Sequence, residues 1–209
     1  MKTQLIFIIL LLTTGLQGQR GIEAGATILP QIYGLYYDQS PSDRAIKIPY
    51  SFAIGVDAGF NFNDYIGLRT GFLYSPLGEK YNDIAVDPEV SYELNLSYIQ
   101  LPVYLKLNSS IERSFSFIMI AGPYFSLLNE ATLTVNSEDP VPVLGDYNRF
   151  LTGGALGLGL QLNLSRGGNL NFLWYNSASL DPISTQAPSR RVVSTGLQLA
   201  YHYFIWEPR

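Results

Sequence analysis

The sequence predicts an all-β chain folded as an antiparallel up-and-down transmembrane β-barrel of about eight strands. Three observations carry this expectation. A leader is followed by no apolar helix, long stretches alternate greasy with small or polar residues at a period of two, and the connections alternate in length along the chain.

The leader comes first. Residues 1–19 read as a secretory signal peptide: Lys2 is a positive start, residues 5–12 (LIFIILLL) form a short apolar core, and small residues follow at Gly15 and Gly18. That core is too short to span a bilayer. Cleavage is expected near Gly18 and Gln19, leaving residues 20–209 as one barrel domain. No later stretch reaches the roughly 18 apolar residues of a membrane helix, so an exported chain that lives in a membrane must cross it as a closed barrel. Charged residues are only 14% of the chain and aromatics 13%, with 15 Tyr and 19 Gly, which suits strands in close contact. A net charge of −4 gives no basic footprint, so nucleic acid is not expected as a partner. With no Cys and only His202, neither a thiol nucleophile nor a multi-His metal site is available, and no cofactor is expected.

Residues 50–75 show the alternation most clearly. Tyr50, Phe52, Ile54, Val56, Ala58, Phe60 and Phe62 share one face, and Ile66, Leu68, Phe72 and Tyr74 continue it. Ser51, Gly55, Asp57, Gly59, Asn61, Gly67, Arg69 and Gly71 fill the other. Both arms keep the same parity, so the connecting loop holds an odd number of residues, and Asn63-Asp64-Tyr65 satisfies that.

The remaining elements follow in order. A first strand is expected over residues 20–33, then a polar loop over 34–47. After the hairpin, residues 76–91 read as a loop rich in Gly, Asp and Pro. The next strand, 92–107, changes phase: Tyr92, Leu94, Leu96 and Tyr98 are even, whereas Leu101, Val103, Leu105 and Leu107 are odd. A β-bulge around residues 99–102, beside Pro102, would reconcile the two. Residues 115–127 form a strand whose parity leaves its faces unassigned. An acidic loop is expected over 128–147. Leu156, Leu158, Leu160 and Leu162 mark a sixth strand, and Leu170, Phe172 and Trp174 a seventh. A loop over 176–189 precedes the last strand, 191–206.

Long and short connections therefore alternate, placing four long loops at one end and three tight turns at the other, as in outer-membrane barrels. The greasy face is expected to meet lipid, and the small, polar face to fill a narrow interior. Glu23, Asp57, Arg69 and, beyond the bulge, Lys106 have interior parity and are the candidate site: a polar network inside the barrel. Asp57 would lie opposite Gly71 and diagonal to Arg69. Tyr50, Phe52, Phe72 and Tyr74 would form one aromatic girdle, and Phe60, Phe62 and Tyr65 the other.

The stretches LRTGFLYSPLG (68–78), SYIQLPVYLKL (97–107), IAGPYFSLL (120–128) and GGALGLGLQL (153–162) resemble the small outer-membrane β-barrel family of Bacteroidetes that includes PorT-like proteins. The resemblance implies an outer-membrane location and, for PorT-like members, a link to secretion and gliding machinery. Unlike many outer-membrane barrels, this sequence does not end on an aromatic: Glu207-Pro208-Arg209 follow Trp206. The expected role is a non-enzymatic envelope component that contacts outer-membrane lipid and meets protein partners through its long extracellular loops. Two alternatives come from other classes. One is a narrow small-solute channel lined by the interior charges. The other is an outer-membrane lipid hydrolase that uses His202 with a Ser and an acid, against which stands a packed histidine near the periplasmic end.

Overall fold

The computed structural model describes residues 21–37, 44–47, 49–83, 89–109, 114–164, 167–185 and 190–206. The expected leader and the last three residues lie outside them. The strands are β1 (Gly21–Tyr37), β2 (Arg44–Lys47), β3 (Tyr50–Asn61), β4 (Ile66–Asp83), β5 (Val90–Asn108), β6 (Phe115–Val135), β7 (Val141–Pro142), β8 (Phe150–Asn163), β9 (Gly168–Ser179) and β10 (Arg190–Trp206), with one 3-10 turn at Leu144–Asp146. Eight of them close a ring in the order β1-β3-β4-β5-β6-β8-β9-β10, and β10 pairs back onto β1. All these pairings are antiparallel. Closure pairs the backbone polar groups of every strand with a neighbour on each side, the condition for crossing hydrocarbon. The short β2 and β7 add to β4 and β6 at the loop end.

The β3–β4 hairpin turns through Asn63-Asp64-Tyr65: the Phe62 amide donates to the Ile66 carbonyl, and Asn63 Oδ1 accepts from the Tyr65 and Ile66 amides at 2.9 and 2.8 Å. The three-residue loop sets Asp57 opposite Gly71 and Asn61 opposite Gly67. The greasy face points outward: Phe52 is 67% exposed, whereas Arg69, on the other face, is 2% exposed. Both aromatic girdles lie on the outer wall. Phe125 and Phe150, stacked with centroids 6.3 Å apart, stand with the upper one, and Phe60 meets Phe62 edge-on at 5.2 Å in the lower.

Three expectations need correction, and one physical cause explains two of them. First, residues 76–91 are not a long loop: β4 climbs to Asp83, and β5 begins at Val90. Second, β5 contains no bulge at 99–102. Its register against β4 runs unbroken from Asp83↔Val90 to Ile66↔Leu107, and even residues face inward throughout. What changes along β5 is the surroundings. Near the turn end it lies in lipid, with Leu101 and Leu105 outside and Lys106 inside. Beyond Ile99 it leaves the apolar belt, so Asn95 faces water and Leu94, Leu96 and Tyr98 are buried inside. Third, residues 128–147 are not a loop throughout: β6 runs on to Val135 and holds the register shift, where Ser97 faces Glu130 and Tyr98 faces Leu128, so that Asn129 is the extra residue. The faces of β6 are now fixed: Ser116, Ile118, Ile120, Tyr124, Ser126 and Leu128 point inward, and Phe115, Phe117, Phe125 and Leu127 outward.

The barrel therefore has two storeys. The lower is wrapped by an apolar belt. The upper is a crown, built mainly from the extended ends of β4, β5 and β6, with Lys80, Glu93, Asn95, Asn129 and Glu130 on its outside. Inside it Leu77, Leu94, Leu96, Tyr98, Leu128 and Leu151 pack with Ile183 from the β9–β10 connection. Burying each such leucine contributes about 1.5–3 kcal/mol, the ordinary stabilisation of a water-soluble core.

Candidate functional site in the barrel interior

The lower storey holds the polar network, and β-sheet register assembles it. His202 of β10, Gly25 of β1 and Asp57 of β3 lie in one row across the sheet. So do Glu23, Gly59 and Arg69 on β1, β3 and β4, and Asn61, Gly67 and Lys106 on β3, β4 and β5. In each row a glycine separates two polar side chains: those of the first two rows lean over it towards one another, and Asn61 and Lys106 of the third both reach Glu23. A Cβ on Gly25 would stand 2.4 Å from the His202 ring, and one on Gly59 2.6 Å from Glu23 Oε1. These glycines are the space into which the network folds.

Glu23 is the hub. Lys106 Nζ donates to its Oε1 at 2.6 Å, and Arg69 Nη2 lies 3.7 Å from the same oxygen. Asn169 donates to its Oε2 at 3.3 Å, and Asn61 approaches that oxygen at 3.5 Å. Asp57 sits on the diagonal of Arg69, as the loop length requires, but its hydrogen bonds come from His202 and Thr27: Nε2–H of the ring donates to Oδ1 at 2.8 Å and Thr27 Oγ1 to Oδ2 at 3.0 Å. With that tautomer, Nδ1 accepts from Asn171 Nδ2 at 3.0 Å. Two carboxylates, Glu23 and Asp57, thus share the interior with two basic side chains, both of which reach Glu23. Glu23, Lys106 and His202 are fully buried, so each ion needs its partner to be tolerable there.

The structure brings Glu23, Arg69 and Lys106 together and sets Asp57 beside them, held by His202 and Thr27. Sequence reading did not place Asn61, Asn169, Asn171 and His202 in the network. Their interior parity was legible, but which of them touch depends on the register between β1 and β10, which no local pattern reveals. The same contacts bear on hydrolysis. A catalytic histidine needs one ring nitrogen on the acid and the other on a nucleophile hydroxyl. In His202 the second nitrogen is engaged by Asn171.

Above the network the interior is filled in layers. Leu29, Leu73, Ile118, Ile120 and Leu173 pack around Tyr104 and Tyr175, whose hydroxyls meet at 2.7 Å. A belt of small polar residues follows, where Gln31 donates to Ser75 Oγ at 3.1 Å and Ser177 meets Ser194 at 2.8 Å. The apolar crown lies above that. Cavities of about 20 and 10 Å³ remain between layers, the first beside Arg69 and Gln198 and the second in the serine belt. Such volumes hold a water molecule at most. Over the mouth, Ile183 is fully buried; its amide donates to the Arg190 carbonyl at 2.7 Å and its carbonyl accepts from the Asn148 amide at 2.9 Å.

Comparison with solved structures places this fold among known ones. Neisserial surface protein A is similar over 90% of this chain and 99% of its own, at 13% identity and a TM-score of 0.55. Weaker likenesses are to the Yersinia pestis attachment invasion locus protein Ail (15% identity, 88% of this chain and 99% of that one, TM-score 0.46) and Pseudomonas aeruginosa OprG (12%, 90% and 96%, TM-score 0.47). No curated protein sequence matches the chain. The model of the outer membrane protein beta-barrel domain matches residues 21–184, covering the ring from β1 through β9. With a closed antiparallel ring, a lipid-facing wall and that match together, the chain is an outer-membrane β-barrel protein and belongs to the outer membrane protein beta-barrel domain family.

Proposed function

We infer that this barrel is a non-enzymatic interaction component of the envelope, related to the PorT-like proteins of Bacteroidetes and delivered by a leader at residues 1–19. The observation that carries this reading is the filled interior beneath a mouth covered by Ile183. Among the described residues, a barrel packed with charge pairs, tyrosines and leucines leaves no continuous solute path, and both ring nitrogens of its histidine are engaged. What it presents to water is the crown of β4, β5 and β6, a rigid sheet with a polar outer face. Rigid presentation of such a surface suits docking of an envelope partner, as an accessory to a secretion or gliding machine.

The test is in-cell cross-linking of a tagged copy, with recovery from the outer membrane and identification of what is attached. The expected result is a reproducible set of envelope proteins that falls away when Asn95 and Glu130 are changed together to arginine. Recovery of the barrel alone, with stable conductance steps in a planar bilayer that change on Arg69→Ala, would overturn this reading in favour of a channel.

A further inference from the structure

The outer wall is not uniform. Where β1, β10 and β9 adjoin, the residues at the upper half of the belt are short: Pro30 and Gly34 on β1, Thr195 on β10. On either side stand large rings, Tyr50 and Phe52 on β3 and Trp174 on β9, which are 81%, 67% and 63% exposed. The result is a groove running along the strands, in two adjoining hollows of about 530 and 460 Å³ that share Ile32 and Thr195. A Cβ added at Gly34 would meet nothing within 4 Å, so the space there is open.

Two features give the groove a polarity. Thr195 and Asn176 pair across β10 and β9 and put polar groups into an otherwise apolar wall, Thr195 Oγ1 accepting from Trp174 Nε1 at 2.8 Å. Higher on the same face, past Val193, Arg191 is exposed beside Tyr36, its partner in register. Asp181, the carboxylate that feels the Arg191 charge, is itself held by the Thr152 amide and hydroxyl, both at 2.6 Å. From Arg191 to Thr195 the strand runs about 13 Å at 3.3 Å per residue and, tilted about 40°, descends about 10 Å, which the long Arg191 side chain shortens towards the ~5–8 Å of one headgroup region.

We propose that this groove is a binding site for one acyl chain of a phosphorylated lipid of the outer leaflet. Arg191 takes the phosphate, Asn176 and Thr195 take the polar linkage at the head of the chain, and the chain lies between Phe52 and Trp174. The commitment to lipid rests on the order cation, polar pair, apolar trough, which matches a phospholipid read from head to tail, and on the groove's position in a wall that faces the bilayer. It is independent of the crown's partners.

The test uses the full barrel reconstituted in phosphatidylcholine vesicles containing a trace of phosphatidic acid with a photoactivatable acyl chain. Labelled sites are mapped by mass spectrometry. The expected result is labelling concentrated on Ile32, Phe52, Trp174 and Val193. It falls several-fold in Arg191→Gln and in Gly34→Phe, which fills the trough. It is unchanged in Gly154→Phe, a matched control on the outer face of β8, where a Cβ also meets nothing within 4 Å. The chain-matched diacylglycerol, lacking the phosphate, labels the wild type several-fold less. Labelling spread evenly round the wall, or equal labelling by the two lipids, would overturn the proposal. So would a barrel dimer that Gly34→Phe abolishes while lipid labelling persists, which would make the groove a contact between two copies.

Discussion

The lower and upper storeys of this barrel follow one another along β5 in a single register against β4, yet their chemistry is reversed. Below, β5 buries Lys106 and exposes Leu105; above, it buries Leu96 and exposes Asn95. The β4–β5 register runs unbroken through the boundary, marked by the Tyr74 hydroxyl donating to Ser97 Oγ at 3.0 Å, and the bulge at Asn129 on the far side of β5 leaves the phase of β5 unchanged. The solvent changes instead. Lipid gives no reason to hide leucine, so the lower interior can take polar groups that satisfy one another, beneath a single apolar layer around Tyr104 and Tyr175. Water restores the hydrophobic effect, so the crown is organised like a soluble protein. A strand's inside face is thus defined by what surrounds it, not by which residues are greasy.

The comparison can be broken most sharply at its charged end. Glu23→Leu leaves Lys106 and Arg69 without their shared carboxylate, and unfolding in lipid vesicles by urea should show a loss of about 3–5 kcal/mol. Adding Lys106→Met should restore part of that loss, because it removes one orphaned charge; a double-mutant cycle with purely additive losses would refute the coupling. In the crown the corresponding damage is a cavity: Leu96→Ala should cost about 2–5 kcal/mol in the same assay. Next comes the outer face. Leu158→Arg on the lipid wall should cost about 2–4 kcal/mol, whereas Asn95→Arg on the crown should stay within about 0.5 kcal/mol. Equal costs at the two positions would erase the distinction between storeys.

The smallest effect concerns the connection over the mouth. Hydrogen bonds from the Thr152 hydroxyl and amide, with Arg191 nearby, hold the Asp181 carboxyl below its ordinary pKa of 3.8. A depressed native pKa contributes stability that is present above the unfolded value and lost as pH falls through the native one. Amide exchange at the Thr152 N–H should therefore speed up only in strong acid, below about pH 4, and Asp181→Asn should lose that dependence.

Much of the fold was legible because lipid-facing alternation is a local property. The β3–β4 hairpin, its loop and the opposition of Asp57 and Gly71 follow from parity alone. Sequence reasoning misread β5 because it took the greasy phase for the backbone phase; Leu94 and Leu101 lie on opposite faces of an unbroken strand. The candidate site was legible as residues but not as contacts. Parity placed Glu23, Asp57, Arg69 and Lys106 inside. That Glu23 holds both cations while Asp57 takes His202 depends on which strands neighbour one another and in what register. The intervening Gly25, Gly59 and Gly67 were visible only as small residues until the rows were aligned.

The most direct test of the two-storey barrel is a spin-label scan of β5 from residue 93 to 107 in reconstituted protein, made simple by the absence of native cysteine. Each label's accessibility to oxygen and to a water-soluble nickel complex would be compared. The expected result is an unbroken period of two, with even positions shielded from both reagents. Odd positions from 99 upward should be open to oxygen, and those from 93 to 97 open to nickel. A slip of phase between 97 and 102, or nickel reaching residues 104 and 106, would contradict it: the first would restore a bulge, and the second would open the barrel to water.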